Sequence, residues 1–507
     1  MDYQVNSNTV ERWGVFEIAL GGRADGNPFT DYTVYGEFKG KNETVKADGF
    51  YDGDGVYRVR FMPSFEGEYE FAIGGSFNGG EGVTGRFAAA APAASNHGPV
   101  RVAHTWHFAY EDGTPYYPVG TTCYVWTHQP PEVQEDTLET LKKGYFNKIR
   151  FCVFPKHYDF NFNDPETFPY EGTPCDNSGI TKENFHTYKP GNPGNRWDFK
   201  RFNPVHFQLF EQRIRDLCAL GIEADIIVMH PYDRWGFSEM DAECDDLYWR
   251  YVVARFAAYR NVWWSLANEY DFLPKKTLKD WERYASILCE KDPYNRLRSV
   301  HNGFVTYDYG RPWVTHCCVQ LQQMTKPLEK TPEWRERYQK PVVVDELVYE
   351  GNIEHGWGNI SGKEIVRRFW EITALGGYAG HGETYAHPDD ILWWSHGGKL
   401  HGEAPERLKF LRRILCESPH GGLNPSRTEH RTAISAPAFN GDAYRLIYLG
   451  FARPSYMWFR YDESGEYKAE VIDTWNMTVE NAGVHKGRFK ITLPGREYMA
   501  IRIRRVN

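Results

Sequence analysis

Two glutamates in this chain stand in matching surroundings. Val262, Trp263, Trp264, Ser265, Leu266 and Ala267 run into Asn268 and Glu269; Val342, Val343 and Val344 run into Asp345 and Glu346. A short apolar run that stops at a carboxylate reads as a strand buried on both faces, ending where side chains can meet a ligand. Two such glutamates on one substrate are what glycoside hydrolysis requires. One protonates the leaving oxygen and the other attacks the anomeric carbon, with the carboxyl groups about 5–5.5 Å apart in a retaining enzyme. One strand-end glutamate alone is usually an ordinary surface or salt-bridged group; the pair is what points to catalysis.

Such a pair needs a scaffold that brings distant strand ends together. The separation of 77 positions between the glutamates leaves room for three strand–helix units. If Glu269 closes the fourth strand of a (β/α)8 barrel, Glu346 closes the seventh, at the face where such barrels keep catalytic side chains. Runs at 117–126, 148–154, 222–230, 262–268, 298–301, 314–321, 342–346 and 378–383 supply eight strands. Amphipathic segments lie between several of them. In 207–220, Leu209, Phe210, Ile214, Leu217 and Cys218 are expected on one face, and 365–374 is similar. A Pro-, Gly-, Asn- and aromatic-rich insertion at 156–201 is expected to form an ordered loop over the barrel mouth.

Both ends of the chain switch to period two, as in Val56, Tyr57, Arg58, Val59, Arg60 and Phe61 or Tyr444, Arg445, Leu446, Ile447, Tyr448 and Leu449. The fold class expected is therefore α/β. A (β/α)8 TIM barrel at 96–421 is flanked by an N-terminal Ig-like β-sandwich at 1–95 and a small C-terminal β-sandwich at 422–507. Residues 88–94 read as a linker.

Composition narrows the partners. A net charge of −9 argues against nucleic acid. Aromatic residues make up 16% of the chain, which suits stacking on sugar rings as well as filling large cores. No apolar stretch is long enough for a membrane span and no secretory signal opens the chain. Nine scattered cysteines fit reduced thiols, so a cytoplasmic location is expected. The expected partner is a carbohydrate substrate; a homo-oligomer is left open, and no cofactor is expected.

Asn268 and Glu269 after Trp263 to Ala267, with Glu346 closing Pro341 to Asp345, resemble clan A of the glycoside hydrolases. The chain is also similar to the apiosidase-like barrel proteins with an N-terminal sandwich and a C-terminal β domain. Arg60, Phe61, Met62 and Pro63 with Gly67 to Phe71 carry that likeness, as do Pro118, Val119, Gly120, Thr121 and Thr122 leading to Trp126. The resemblance implies that Glu269 is the acid/base and Glu346 the nucleophile. It also implies a tyrosine near the end of strand six. Here that run reads His316, Cys317, Cys318, Val319, Gln320, which leaves His316, Gln320 or Tyr349 for the role.

Asn268 is placed to bind a hydroxyl next to the anomeric carbon, and Arg150 on strand two to orient or charge-tune the nucleophile. His230, Trp235, His301 and Asn302 follow strands three and five and are candidate hydroxyl ligands; a satisfied core histidine is the alternative. Trp126, Trp393 and Trp394 are stacking candidates. His381 and Glu383 are read as sugar-binding groups. With His387, Asp389 and Asp390 they outline a metal set, but the spacing is not that of a metal-binding helix, and no metal ligand is assigned. Two rival readings remain: a metal-dependent barrel hydrolase using that cluster, and a non-catalytic carbohydrate-binding barrel.

Overall fold

A computed structural model describes residues 3–80, 82–322, 330–386, 392–419, 421–426, 434–437 and 443–506. Its centre is one eight-stranded parallel sheet. The strands are β1 (Val119–Thr122), β2 (Lys148–Cys152), β3 (Glu223–Met229), β4 (Val262–Ala267), β5 (Arg298–Ser299), β6 (Cys317–Leu321), β7 (Val342–Leu347) and β8 (Tyr378–His381). They follow in the order β5-β4-β3-β2-β1-β8-β7-β6. A parallel bridge between His301 and Cys318 joins β5 to β6 and closes the ring. Each of β1, β2, β3, β4, β7 and β8 is buried at every residue, as expected of parallel strands covered on both faces.

Helices follow β1 to β4 and β6 to β8, whereas β5 reaches β6 through turns. The helix Pro204–Ala219 starts with Asn203 capping the Val205 amide and Pro204 in the first turn. Its buried face is Phe207, Phe210, Ile214 and Leu217. Leu209, expected on that face, is 50% exposed: at 3.6 residues per turn it points away from a stripe set by 207, 210, 214 and 217.

The N-terminal domain packs a four-stranded sheet on a five-stranded one. Asp54 adopts φ 49° between Gly53 at 92° and Gly55 at 74°, a turn that the two glycines make accessible. Residues 88–90, expected in a linker, complete the strand Val83–Ala90. The sandwich is joined to the barrel through buried charge. Arg60 reaches Glu211 at 2.7 Å, and Arg255 reaches Glu211 at 3.0 Å and Asp52 at 2.7 Å. The C-terminal domain pairs a five-stranded sheet with the two-stranded antiparallel sheet of Tyr456–Arg460 and Arg488–Thr492 around its own apolar core. His387, Asp389 and Asp390 lie outside the described residues.

Candidate active site

Strands β4 and β7, separated around the ring by β5 and β6, both end on one cavity of about 110 Å³, lined by Glu269 and Glu346. Strand β4 is fixed from both faces, Trp263 Nε1 donating to Glu223 at 2.9 Å and Trp264 Nε1 to Asp292 at 3.1 Å. Beyond Ala267 the chain turns sharply, and Glu269 takes a left-handed conformation, φ 48° and ψ 57°. For a non-glycine residue that conformation costs on the order of 1–3 kcal/mol, and it is typical of functional sites.

Tyr232 donates its hydroxyl to Glu269 Oε2, and Asn268 Nδ2 donates to the same oxygen at 3.1 Å. Asn268 is itself held by Tyr124, whose hydroxyl donates to its Oδ1 at 3.1 Å. With its amide nitrogen turned inward, Gln320 donates to Glu269 Oε1 at 3.2 Å. Burial raises the Glu269 pKa, opposed by the Lys156 ammonium and the Tyr232 hydroxyl.

Glu346 is 2% exposed. Gln322, just past β6, donates to its Oε2 at 3.0 Å, while Arg150 Nη1 stands 3.6 Å and His301 Nε2 3.9 Å from Oε1. Beneath it lies a buried charge cluster. Lys148 pairs with Asp225 at 2.6 Å and Asp345 at 2.7 Å, and Arg150 approaches Asp225 at 3.5 Å. Two cations therefore meet two aspartates before Glu346 is counted. Burial pushes Glu346 up to about 8, opposed by the Tyr349 hydroxyl. Both carboxyls are thus desolvated by the same small cavity.

The sequence reading missed several walls of the cavity. Lys156, 2% exposed, holds its ammonium 3.5 Å from the Tyr124 ring, 4.0 Å from Tyr232 and 4.5 Å from Tyr158. Such cation–π contacts stabilise a desolvated ammonium, yet burial still lowers it to about 8. Lys156, Tyr158 and Phe160 come from the start of the 156–201 insertion, which supplies one wall; Trp357 and Trp394 supply another. A lone lysine inside a polar insertion carries no signal of burial, so periodicity could not have found it.

Other candidates sit elsewhere. Trp126 packs on Phe151 in the core, and Trp393 Nε1 donates to Thr121 at 2.8 Å. His230 bonds the Phe154 carbonyl at 3.2 Å, and Trp235 donates to Asp164 at 3.1 Å. His316 is buried against Phe108 and Trp263. Tyr349 is fully buried beside Trp357 and Trp394. His381 and Glu383 do not line the cavity. A larger cleft, about 740 Å³, lies between the N-terminal sandwich and the helix Ala242–Phe256.

A closed parallel barrel with two buried glutamates at the ends of β4 and β7 defines the class: a barrel of glycoside-hydrolase type. The chain belongs to the apiosidase-like family, whose catalytic-domain model matches residues 103–419. Two domains of unknown function flank it, DUF5060 at residues 9–75 and DUF5605 at 433–504. A crystal structure from Bacteroides vulgatus, of a protein provisionally assigned as a glycoside hydrolase, is 35% identical. It matches over 99% of this chain and 100% of its own, with a TM-score of 0.91. A glycoside hydrolase family 5 structure from the same bacterium is 16% identical and covers 80% of this chain and 92% of its own. Its TM-score is 0.60, a likeness of fold alone. No curated protein matches the chain significantly. The barrel and the apiosidase-like domain support glycosidase activity.

Proposed function

We propose that the protein is a retaining, exo-acting glycosidase that releases a single sugar unit from small glycosides or plant-derived oligosaccharides. The observation that carries this reading is the shared cavity of Glu269 and Glu346. Glu346, once ionised, attacks the anomeric carbon and forms a glycosyl ester. Glu269, protonated, hands its proton to the departing oxygen and then takes one from the water that releases the sugar. Asn268, already oriented by Tyr124, is free to meet the adjacent hydroxyl.

The cavity supports the exo assignment. At about 110 Å³ the cavity formed by the described residues is well below the roughly 300–1,000 Å³ of ordinary ligand pockets, a size that suits a single sugar unit. Family membership points to apiose or another pentosyl unit. Nine free cysteines suit a reducing compartment such as the cytoplasm.

The test is a screen of nitrophenyl glycosides and plant oligosaccharides against wild type and Glu346→Gln, with proton NMR of the first-formed anomer. Retained configuration in the wild type and no turnover by the variant are expected. An inverted first product would refute the double displacement.

A further inference from the structure

A second cluster of ionisable groups lies outside the cavity, behind β8. Past His381, the two-residue strand Glu383–Thr384 pairs in parallel with Glu350–Gly351, in a register that puts Glu350 opposite Glu383. All three side chains are buried, Glu350 and His381 at 0% and Glu383 at 1% exposure. A carboxylate oxygen of each glutamate and a ring nitrogen of His381 lie within 4.8 Å of one another.

Both carboxylates are held by successive backbone amides leading into the helix Ala404–Cys416. His401 and Gly402 donate to Glu383 at 2.5 and 2.8 Å, and Glu403 and Ala404 donate to Glu350 at 2.7 and 3.0 Å. A Cβ on Gly402 would collide with Oε2 of both glutamates, so the two oxygens converge on one point of the loop. A carboxylate offers about four acceptor sites, and these amides leave some free on each group. Among the described residues, no lysine or arginine stands among the groups that shift either carboxyl. Two adjacent carboxylates buried without a counter-charge are costly, and buried charges are otherwise paired or bound to metals.

His381 supplies the independent observation. Its Nδ1 lies 3.2 Å from Thr121 Oγ1, while Nε2 is fully buried and has no hydrogen-bond partner. Burial keeps the ring neutral. With Nδ1–H donating to Thr121, Nε2 presents a lone pair, the usual state of a metal-binding imidazole whose other nitrogen is fixed by a hydrogen bond.

We propose that Glu350, His381 and Glu383 form a site for a divalent transition-metal ion that ties β8 to the segment following β7. One imidazole and two carboxylates suit zinc or manganese better than calcium, which takes oxygen ligands. None of the three residues lines the cavity, so the ion is structural. Glu350 follows Tyr349, whose ring packs on Trp357 and Trp394, so the ion also steadies the cavity wall.

The test uses the full chain purified without chelator. Elemental analysis should find one zinc or manganese per chain. After dialysis against chelator, calorimetry and thermal melting with ZnCl2, MnCl2 and CaCl2 should restore one equivalent and raise the melting temperature, calcium binding at least about tenfold more weakly. Glu383→Gln should weaken binding by at least about 100-fold. Thr121→Val, which leaves both carboxylates in place, should weaken it by about 10–100-fold, as loss of an orienting partner does. The competing occupant is a proton shared by the two carboxyls. No metal as purified, no stabilisation by any of the three salts and unchanged melting of Glu383→Gln would assign the pair to that proton and overturn the site. Stoichiometric binding that survives Glu383→Gln would overturn it equally.

Discussion

Arg150 Nη1 lies 3.6 Å from Glu346 Oε1, yet Glu346 is pushed up to about 8. The two facts are consistent once the neighbours are counted. Arg150 and Lys148 already face Asp225 and Asp345, so a charged Glu346 would be a third anion against two buried cations. The guanidinium orients the carboxyl without fully balancing it. Several measurable consequences come from this arrangement.

Glu346→Ala should abolish turnover, and added azide should restore a glycosyl azide of inverted configuration, because the small anion fits where the carboxylate stood. Substantial residual hydrolysis by the variant would mean the nucleophile lies elsewhere.

Glu269→Ala should lose far more rate on substrates with poor leaving groups than on activated aryl glycosides, which depart without a proton. The basic limb of the pH–rate profile, which reports the acid, should disappear with it. Equal losses on both substrate types, with that limb intact, would remove Glu269 from the role.

The acidic limb of kcat/KM should lie well above the usual carboxylate range, toward 8, because activity appears only as Glu346 loses its proton. Stability should run the other way. The folded carboxyl titrates near 8 against an ordinary value of 4.5, so the native state binds the extra proton between these values and stability falls as pH rises through that window. Glu346→Gln should therefore melt above wild type at pH 9 but not at pH 4. Coincident melting curves at pH 9 would contradict the shift.

Lys156→Met should shift the basic limb to higher pH, because the ammonium holds the Glu269 pKa down against burial. A drop in kcat/KM with an unmoved limb would show that Lys156 acts on the substrate and not on the acid.

Arg60→Ala should cost roughly 3–5 kcal/mol, the usual effect of removing one partner from a buried ion pair. It takes the bond to Glu211 from the sandwich–barrel joint and the bond to Glu17 from within the sandwich. Chemical denaturation measures it; a change below 1 kcal/mol would mean the joint is held by apolar packing alone.

The barrel and its two strand-end glutamates were legible in the sequence for one physical reason. Strands β4 and β7 are buried on both faces and largely apolar up to Ala267 and Val344, so the points where they yield to Glu269 and Glu346 stand out in the chain. The period-two ends showed their sandwiches by the same logic of one wet face and one dry face. The surroundings of the pair were legible only in part: Asn268, Arg150, Gln320 and His301 were named and do stand beside the two glutamates, while others were not. Lys156 and Tyr232 reach Glu269 from loops, Gln322 reaches Glu346 from beyond β6, and Trp394 rather than Trp393 faces the cavity. Loop side chains are placed by packing across the barrel mouth, which leaves no periodic trace along the chain. Sequence supplied two carboxylates on a barrel. Only the tertiary structure decided that both are desolvated, that the cations beneath them are already spent on Asp225 and Asp345, and that Glu350, His381 and Glu383 converge behind β8, because each depends on which groups close a space far from one another in the chain.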